Sequence, residues 1–423
     1  MPEDGVTCTN VPNKRLRLRA SPIISLCFGF LLIFAVPYGA GYFKDWLIPL
    51  AGSYRINLFE AFAMPVIYGG LIYYGIRIKK YEQILFLSII LTILSRIISL
   101  LAADGVQVTQ WISIFRYVET LALVYICANL FSNQRNRHFF TIGVIIGVAI
   151  ETVGGIFVFL IHDKGIFIST SSFMLQVFLI ITCILAFINK KHRFLVIVLV
   201  LTMVLATFAT LTRAAWIFLM TSVLMFVLVY LKKQILKNIL LFSGLTGMII
   251  LLLGNILPYT TTEIFASRME SALGGEGSVL YRFYLWDMAI ASFLQHPIVG
   301  IGSGSFGRQQ EHLPKIFHVE LPAYYAELDI QLSTHNTFLG VLSETGMSGL
   351  AAYLLWIIAV TGICRKIFRL SNIYCNNDKY VIAASIIVIS SVIGDVISQY
   401  SFMPISSAFI GFALGWLRER INY

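Results

Sequence analysis

The sequence predicts an all-α, polytopic integral membrane protein, with about 12 transmembrane helices and one large loop that carries amphipathic helices. Three observations lead there. The 423-residue chain is 58% hydrophobic and only 12% charged, against roughly 25% charged for a soluble chain. Its apolar residues come in repeated runs of about 20, each long enough to cross a bilayer as a helix. The runs are continuous rather than alternating, which excludes a transmembrane barrel. The basic residues lie in short segments between the runs, as the bias of Lys and Arg towards the cytoplasmic side requires. That placement accounts for the net charge of +10, so no nucleic-acid partner is expected.

The first run, Pro22 to Pro37, follows Lys14, Arg15, Arg17 and Arg19. No small-x-small cleavage site follows it, so it reads as a retained span rather than a signal peptide. An outer segment with Lys44, Trp46 and Arg55 leads to span two (Leu58 to Ile76), which stops at Arg77, Lys79 and Lys80. Spans three (Ile84 to Leu101) and four (Trp111 to Phe131) form a pair that returns to Arg135 and Arg137. Spans five (Phe139 to Ile161) and six (Ser171 to Ile188) end at Lys190, Lys191 and Arg193. Spans seven (Phe194 to Leu211) and eight (Ala214 to Leu231) turn through Thr212-Arg213 and return to Lys232, Lys233 and Lys237. Span nine (Ile239 to Leu257) delivers the chain to the outer loop. Spans ten (Gly349 to Cys364), eleven (Tyr380 to Ser398) and twelve (Ile405 to Leu417) close on Arg418 and Arg420. Of the 31 Lys and Arg, 21 fall in the segments this topology assigns to the cytoplasm, which satisfies the charge bias at every inner turn. The chain divides accordingly into residues 1–257 (spans one to nine), 258–346 (the outer loop, with the segment that holds the candidate site) and 347–423 (spans ten to twelve).

The outer loop has helical periodicity of its own. Ile264, Phe265, Met269 and Ala272 recur at helical spacing over Thr262 to Leu273, and Leu280, Phe283, Trp286, Ile290, Phe293 and Leu294 do so over Ser278 to Gln295. Pro297 ends the second stretch. Both read as amphipathic helices on the membrane surface. Gly300, Gly302, Gly304 and Gly307 read as a flexible turn; without a preceding strand or a following Gly-Lys-Ser they are not a phosphate loop. None of the six cysteines lies in the loop, so no disulfide framework is expected there.

Six charged residues fall within or at the ends of spans: Glu60, Arg96, Arg116, Glu119, Glu151 and Asp395. Charges there pair with each other or face a cavity. Arg116 and Glu119, three apart, can pair on one helix. All six lie towards the outer ends of their spans, which suggests a polar cavity open to that side.

Three residues stand out in or beside the loop. Arg213, at a hairpin tip with almost no polar loop, reads either as an arginine snorkelling to the interface or as a phosphate ligand. Arg282, one turn before Trp286, offers the same planar fork of donors to phosphate oxygens. His335 is either structural or a base. Leu339 and Leu342 follow it at helical spacing, which puts it in a first helical turn, where the helix dipole disfavours the imidazolium and leaves a neutral ring able to accept a proton. Gly346 and Gly349 then permit a tight turn into span ten. The histidines His296, His312, His318 and His335 lack compact zinc-ligand spacing, so no metal and no cofactor are expected, and arginines are the natural partners of a diphosphate.

Ser333-Thr334-His335-Asn336-Thr337-Phe338-Leu339, running through Glu344-Thr345-Gly346-Met347-Ser348-Gly349-Leu350, resembles the hallmark of the bacterial O-antigen ligase/polymerase family. Thr212-Arg213-Ala214-Ala215-Trp216 is similar to its short arginine turn. Arg282 to Trp286, His296-Pro297 and Gly300 to Phe306 are similar to its large periplasmic loop. The resemblance spans roughly Phe194 to Arg369. It implies a metal-independent, inverting glycosyltransferase in the bacterial inner membrane, with its active site facing the periplasm. The donor would be a glycan on undecaprenyl diphosphate and, for a ligase, the acceptor the lipid A–core oligosaccharide. His335 would be the general base, and Arg213 and Arg282 the diphosphate ligands. Arg308, Asn336 and Glu344 are candidate substrate contacts, Glu344 alternatively a brace of the loop. An O-antigen polymerase or a protein O-oligosaccharyltransferase would share the donor chemistry. A glycan or lipid transporter would instead place charge at the midplane in both halves.

Overall fold

The computed structural model describes residues 21–32, 48–49, 55–56, 58–74, 78–103, 108–162, 177–178, 180–182, 213–230, 278–309, 334–372, 375, 378–395 and 404–421. Spans six, seven and nine, the helix expected over Thr262 to Leu273, and Arg268, His312 and His318 lie wholly or largely outside these residues. The described chain is helical, apart from a two-residue antiparallel pair, β1 (Ile48–Pro49) with β2 (Arg55–Ile56). The helices are α1 (Ser21–Leu31), α2 (Leu58–Tyr74), α3 (Gln83–Ala102), α4 (Val108–Leu130), α5 (Gln134–His162), α6 (Arg213–Tyr230), α7 (Ser278–Gln295), the short α8 (Phe306–Gln309), α9 (Thr337–Leu370), α10 (Lys379–Gly394) and α11 (Pro404–Ile421). A 3₁₀ turn, Lys80–Glu82, leads into α3.

Among the described residues, Lys80–Ala102 (23 residues) and Thr337–Leu370 (34 residues) are each long and apolar enough to cross a membrane. Apolar side chains also cover their outward faces. Leu87, Leu94, Ile98 and Ile358 are exposed, and Ile72 of α2 is 87% exposed. Water would penalise such a surface, whereas lipid accepts it.

The interior is built by close pairing. At the α1–α5 crossing a Cβ at Gly29 would overlap the Phe140 carbonyl, and one at Gly143 would overlap that of Leu26. Glycine is what lets the two backbones approach. Phe140 then stacks into an aromatic cluster with Phe131 (centroids 4.7 Å apart) and Phe412 (5.4 Å). This cluster joins α4, α5 and α11. Helix α9 packs along α3 and α10, burying Tyr353, Trp356 and Ile367.

One end of the bundle is closed by buried and partly buried ion pairs. Arg418 Nε and Nη2 donate to the two Glu82 carboxylate oxygens at 2.6 and 2.7 Å. Arg420 donates to Asp378 at 3.1 Å, and so does the Trp416 indole. Arg137 pairs with Glu419. These contacts join the starts of α3 and α5, the residue before α10 and the end of α11. The charge bias assigns all four of those ends to the cytoplasmic side, and they meet in space as an antiparallel bundle requires.

Glu82→Ala strands a buried guanidinium and should cost on the order of 3–5 kcal/mol. Arg420→Ala removes a side chain 40% exposed and leaves Asp378 its bonds from Trp416 and the Asn372 N–H. It should cost about 1 kcal/mol or less. Thermal unfolding of the detergent-purified variants checks this order.

Candidate active site

Helix α9 is interrupted once, at Gly346, whose φ of +63° and ψ of −157° fall where only glycine is comfortable. In an unbroken helix the Met347 and Ser348 N–H groups would donate to the Ser343 and Glu344 carbonyls, four residues back. Instead Met347 N donates to Pro297 O (2.9 Å) and Ser348 N to Ile298 O (3.3 Å). The freed carbonyls accept from the loop after α7: Ser343 O from Ile301 N (3.0 Å) and Glu344 O from Gly302 N (3.1 Å). Two helical bonds are thus exchanged for four to Pro297–Gly302. The sequence suggests a flexible glycine turn here; the structure has a fixed clasp. A Cβ on Gly300 would overlap the Glu344 backbone, and one on Gly346 would lie 2.5 Å from Ile298 C and O.

The clasp lays α7 along the first half of α9. Tyr281, Tyr284, Leu285, Met288 and Ala289 are buried with Ile301 and Phe306, while Phe283 and Leu294 are exposed. The buried side is therefore not the face marked by Phe283, Trp286, Ile290 and Leu294. This helix is apolar nearly all round, so periodicity alone does not say which face turns inward. The inward face carries Ala289, Ala291 and Ser292, small enough for α7 to approach closely.

At the other end of this helix pair lies His335. Asn336 caps α9, its side chain accepting from Leu339 N at 3.0 Å. Thr334 Oγ1 donates to Asn336 O (2.7 Å), and the Trp286 indole donates to Thr334 O (3.1 Å). Thr337 N donates to Asp395 O (2.8 Å), tying the helix start to the end of α10. The expectation that His335 lies in the first helical turn is corrected: it precedes the cap, with φ +50°. This left-handed conformation costs a non-glycine residue roughly 1–2 kcal/mol and is held by the bonds on either side.

His335 is partly buried, and burial is the main reason its pKa lies below the usual histidine range; the Arg282 guanidinium lowers it further. Arg282, partly buried near the start of α7, is thus near enough for its charge to act on the His335 ring. Arg213 is the first residue of α6 and Arg308 belongs to α8, but both side chains lie outside the described residues. So do those of Glu60, Arg116 and Glu151, and with them the Arg116–Glu119 pairing. Glu344 is engaged by Arg96 at 3.2 Å. Arg96 Nη1 also donates to Ser303 Oγ at 2.8 Å, and the guanidinium lies 4.1 Å from the Tyr117 ring centroid. Gln110 donates to Ser305 Oγ at 2.6 Å, and the Tyr353 hydroxyl donates to the Asp395 carboxylate. Sequence reasoning does not single out Ser303, Ser305, Gln110 or Tyr353. The charges of Arg96 and Asp395 signal only that partners exist.

Among the described residues no group of three or more His, Cys, Asp or Glu is placed to hold a metal ion. Chemically, the site offers a neutral imidazole able to accept a proton beside a guanidinium able to hold an anion.

Gly346→Ala should cost about 1–3 kcal/mol in backbone strain, and its Cβ would also push Ile298 out of the clasp. Faster hydrogen exchange at the Met347 and Ser348 amides, with a lower unfolding temperature, is the expected outcome. Asn336→Ala, which removes the cap, should cost about 1 kcal/mol and leave those amides protected.

No curated protein matches the chain. Residues 198–354 match the model of the family described as O-antigen ligase. That stretch takes in Arg213, Arg282, Arg308, His335, Asn336 and Glu344. The family covers O-antigen ligases and polymerases, membrane-embedded enzymes of the glycosyltransferase type that use lipid-linked glycans. Over residues 198–354, the chain is thus similar to the O-antigen ligase family.

Proposed function

We propose that this protein is an O-antigen ligase, moving O-antigen polysaccharide from undecaprenyl diphosphate to the lipid A–core oligosaccharide at the periplasmic face of the bacterial inner membrane. The observation that carries this reading is a partly buried His335 whose pKa is lowered by burial and by the Arg282 charge, within the segment that matches the family. In the proposed reaction His335 takes the proton of an acceptor hydroxyl. The hydroxyl oxygen attacks the anomeric carbon, the carbon–phosphate oxygen bond breaks, and the diphosphate leaves with the electron pair. Attack opposite the leaving group inverts the anomeric centre. Charge grows on the diphosphate oxygens during this step, where a positioned guanidinium is most effective. Arg282 takes that role, with Arg213 as its proposed partner. An O-antigen polymerase would use the same donor chemistry with a lipid-linked glycan as acceptor.

The test uses the purified protein in lipid nanodiscs, with glycan-loaded undecaprenyl diphosphate as donor and either lipid A–core or a second lipid-linked glycan as acceptor. Product on lipid A–core supports the ligase; product only on the lipid-linked glycan reassigns the protein as a polymerase. His335→Ala should lower transfer by roughly 100-fold or more while keeping undecaprenyl diphosphate binding within a few-fold. Wild-type transfer by that variant removes the base from the mechanism.

Activity should fall as pH drops through the His335 pKa, because the imidazolium has no lone pair for the acceptor proton. Since that pKa is depressed in the free enzyme, half-maximal kcat/KM should lie below the roughly 6.5 of an ordinary histidine. Arg282→Gln should move it upward, besides weakening undecaprenyl diphosphate binding. The pH–rate profiles of the two proteins check the direction.

A further inference from the structure

We infer that Arg96, on α3 and outside the segment that matches the family, is a positioning residue for transfer: it anchors the paired α7 and α9 helices, and so sets where His335 and Arg282 stand. The inference rests on the proposed transferase reading and deepens it. Arg96 is 5% exposed, and a charge buried in a span is retained only with partners. Its partners are the parts of the clasp. Nη1 donates to Glu344 at 3.2 Å, at the break of α9, and to Ser303 at 2.8 Å, in the glycine loop. One turn further along α3, Ser99 donates to the Glu344 carbonyl. A Cβ on Gly302 would lie 2.6 Å from Ala103 Cβ, so the loop is seated directly on the end of α3.

Glu344 lies nine residues beyond His335, about 13 Å along the helix, so Arg96 does not touch the proposed reacting atoms. It acts through a rigid element. Helix α7 and the first half of α9 lie side by side, bonded near one end by Trp286 to Thr334 (3.1 Å) and near the other by Ser292 to Ser343 (3.4 Å). Holding the far end on α3 fixes the near end. Among the described residues, Arg282 on α7 is the charge felt at His335; Asp395 reaches this region through its carbonyl to Thr337 N. Loosening the anchor moves the imidazole relative to both.

The experiment compares Arg96→Gln, Glu344→Gln, the double variant and Arg96→Lys in the nanodisc assay, with undecaprenyl diphosphate binding measured separately. Each single Gln variant should lose roughly 10- to 100-fold in kcat, the range a displacement of about 1 Å produces, with donor KM and undecaprenyl diphosphate binding within about threefold of wild type. The double variant should lose no more than the worse single, since both remove one pair. Arg96→Lys should recover part of the rate, and the acid limb of the Gln variants should shift. Wild-type kcat in Arg96→Gln overturns the inference. So do multiplying losses in the double variant, which would mean that Glu344 meets substrate on its own. A rate loss that only follows the amount of folded protein, with an unmoved acid limb, overturns it too. Failure of the underlying reading is separate: His335→Ala would then transfer normally whatever Arg96 does.

Discussion

A helix broken at one residue must hand its backbone groups to something else, and the rest of the site follows from how α9 does so. At Gly346 the chain gives up the bonds that Met347 and Ser348 would make to Ser343 and Glu344. In a low-dielectric setting, groups left in that state cost several kcal/mol each. Pro297, Ile298, Ile301 and Gly302 supply the replacements. That exchange needs a loop able to lie against bare backbone. Hence Gly300 and Gly302 adopt φ of +71° and +106° with no room for a side chain. Because the loop follows α7 directly, satisfying the break also delivers α7 to α9, and Arg282 to His335.

The two ends of the bundle solve different problems with the same residue types. At one end Arg418, Arg420 and Arg137 are consumed by Glu82, Asp378 and Glu419, which closes the bundle. At the other, Arg96 pairs with Glu344 at the break of α9 and Asp395 accepts from Tyr353 of its second half, while the Arg282 charge acts on the His335 ring. A buried ion pair is weak support for stability but a good device for register. The Arg96–Glu344 pair is used in that second sense.

Much of this was legible in the sequence, for identifiable reasons. The helical class follows from continuous apolar runs, and Ser278–Gln295 comes out with the bounds that the spacing and Pro297 suggest. The placing of Arg137 and Arg418 at one end follows from charge bias, whereas the closure of that end with Glu82 and Asp378 is met only in the structure. Arg282 and His335 stand out by their chemistry, a phosphate-binding fork and a proton acceptor, and Asn336 through the family resemblance. The inward face of α7 was not legible, because a helix with apolar residues on all sides carries no directional signal. Nor was the clasp, since glycine spacing marks turns without saying which backbone they embrace. The position of His335 ahead of the cap was hidden too. Leu339 and Leu342 fix the helix that follows, but only the cap geometry of Asn336 shows where it starts.

The neighbour that adds to burial in lowering the His335 pKa is also the group proposed to hold the diphosphate, and that couples the two roles. With the site empty, the Arg282 charge and burial both disfavour the imidazolium, so the ring is neutral but a weak base. A bound diphosphate brings negative charge to Arg282 and cancels much of its field at the ring. The cost of protonating His335 then falls, and the imidazole becomes a better acceptor once the donor is in place. The sign is fixed by electrostatics: an anion near a titrating base raises its pKa. On the proposed reading, the base is strengthened by the substrate whose bond is to be broken. A hydroxyl is accordingly deprotonated more readily when a glycan is there to receive it.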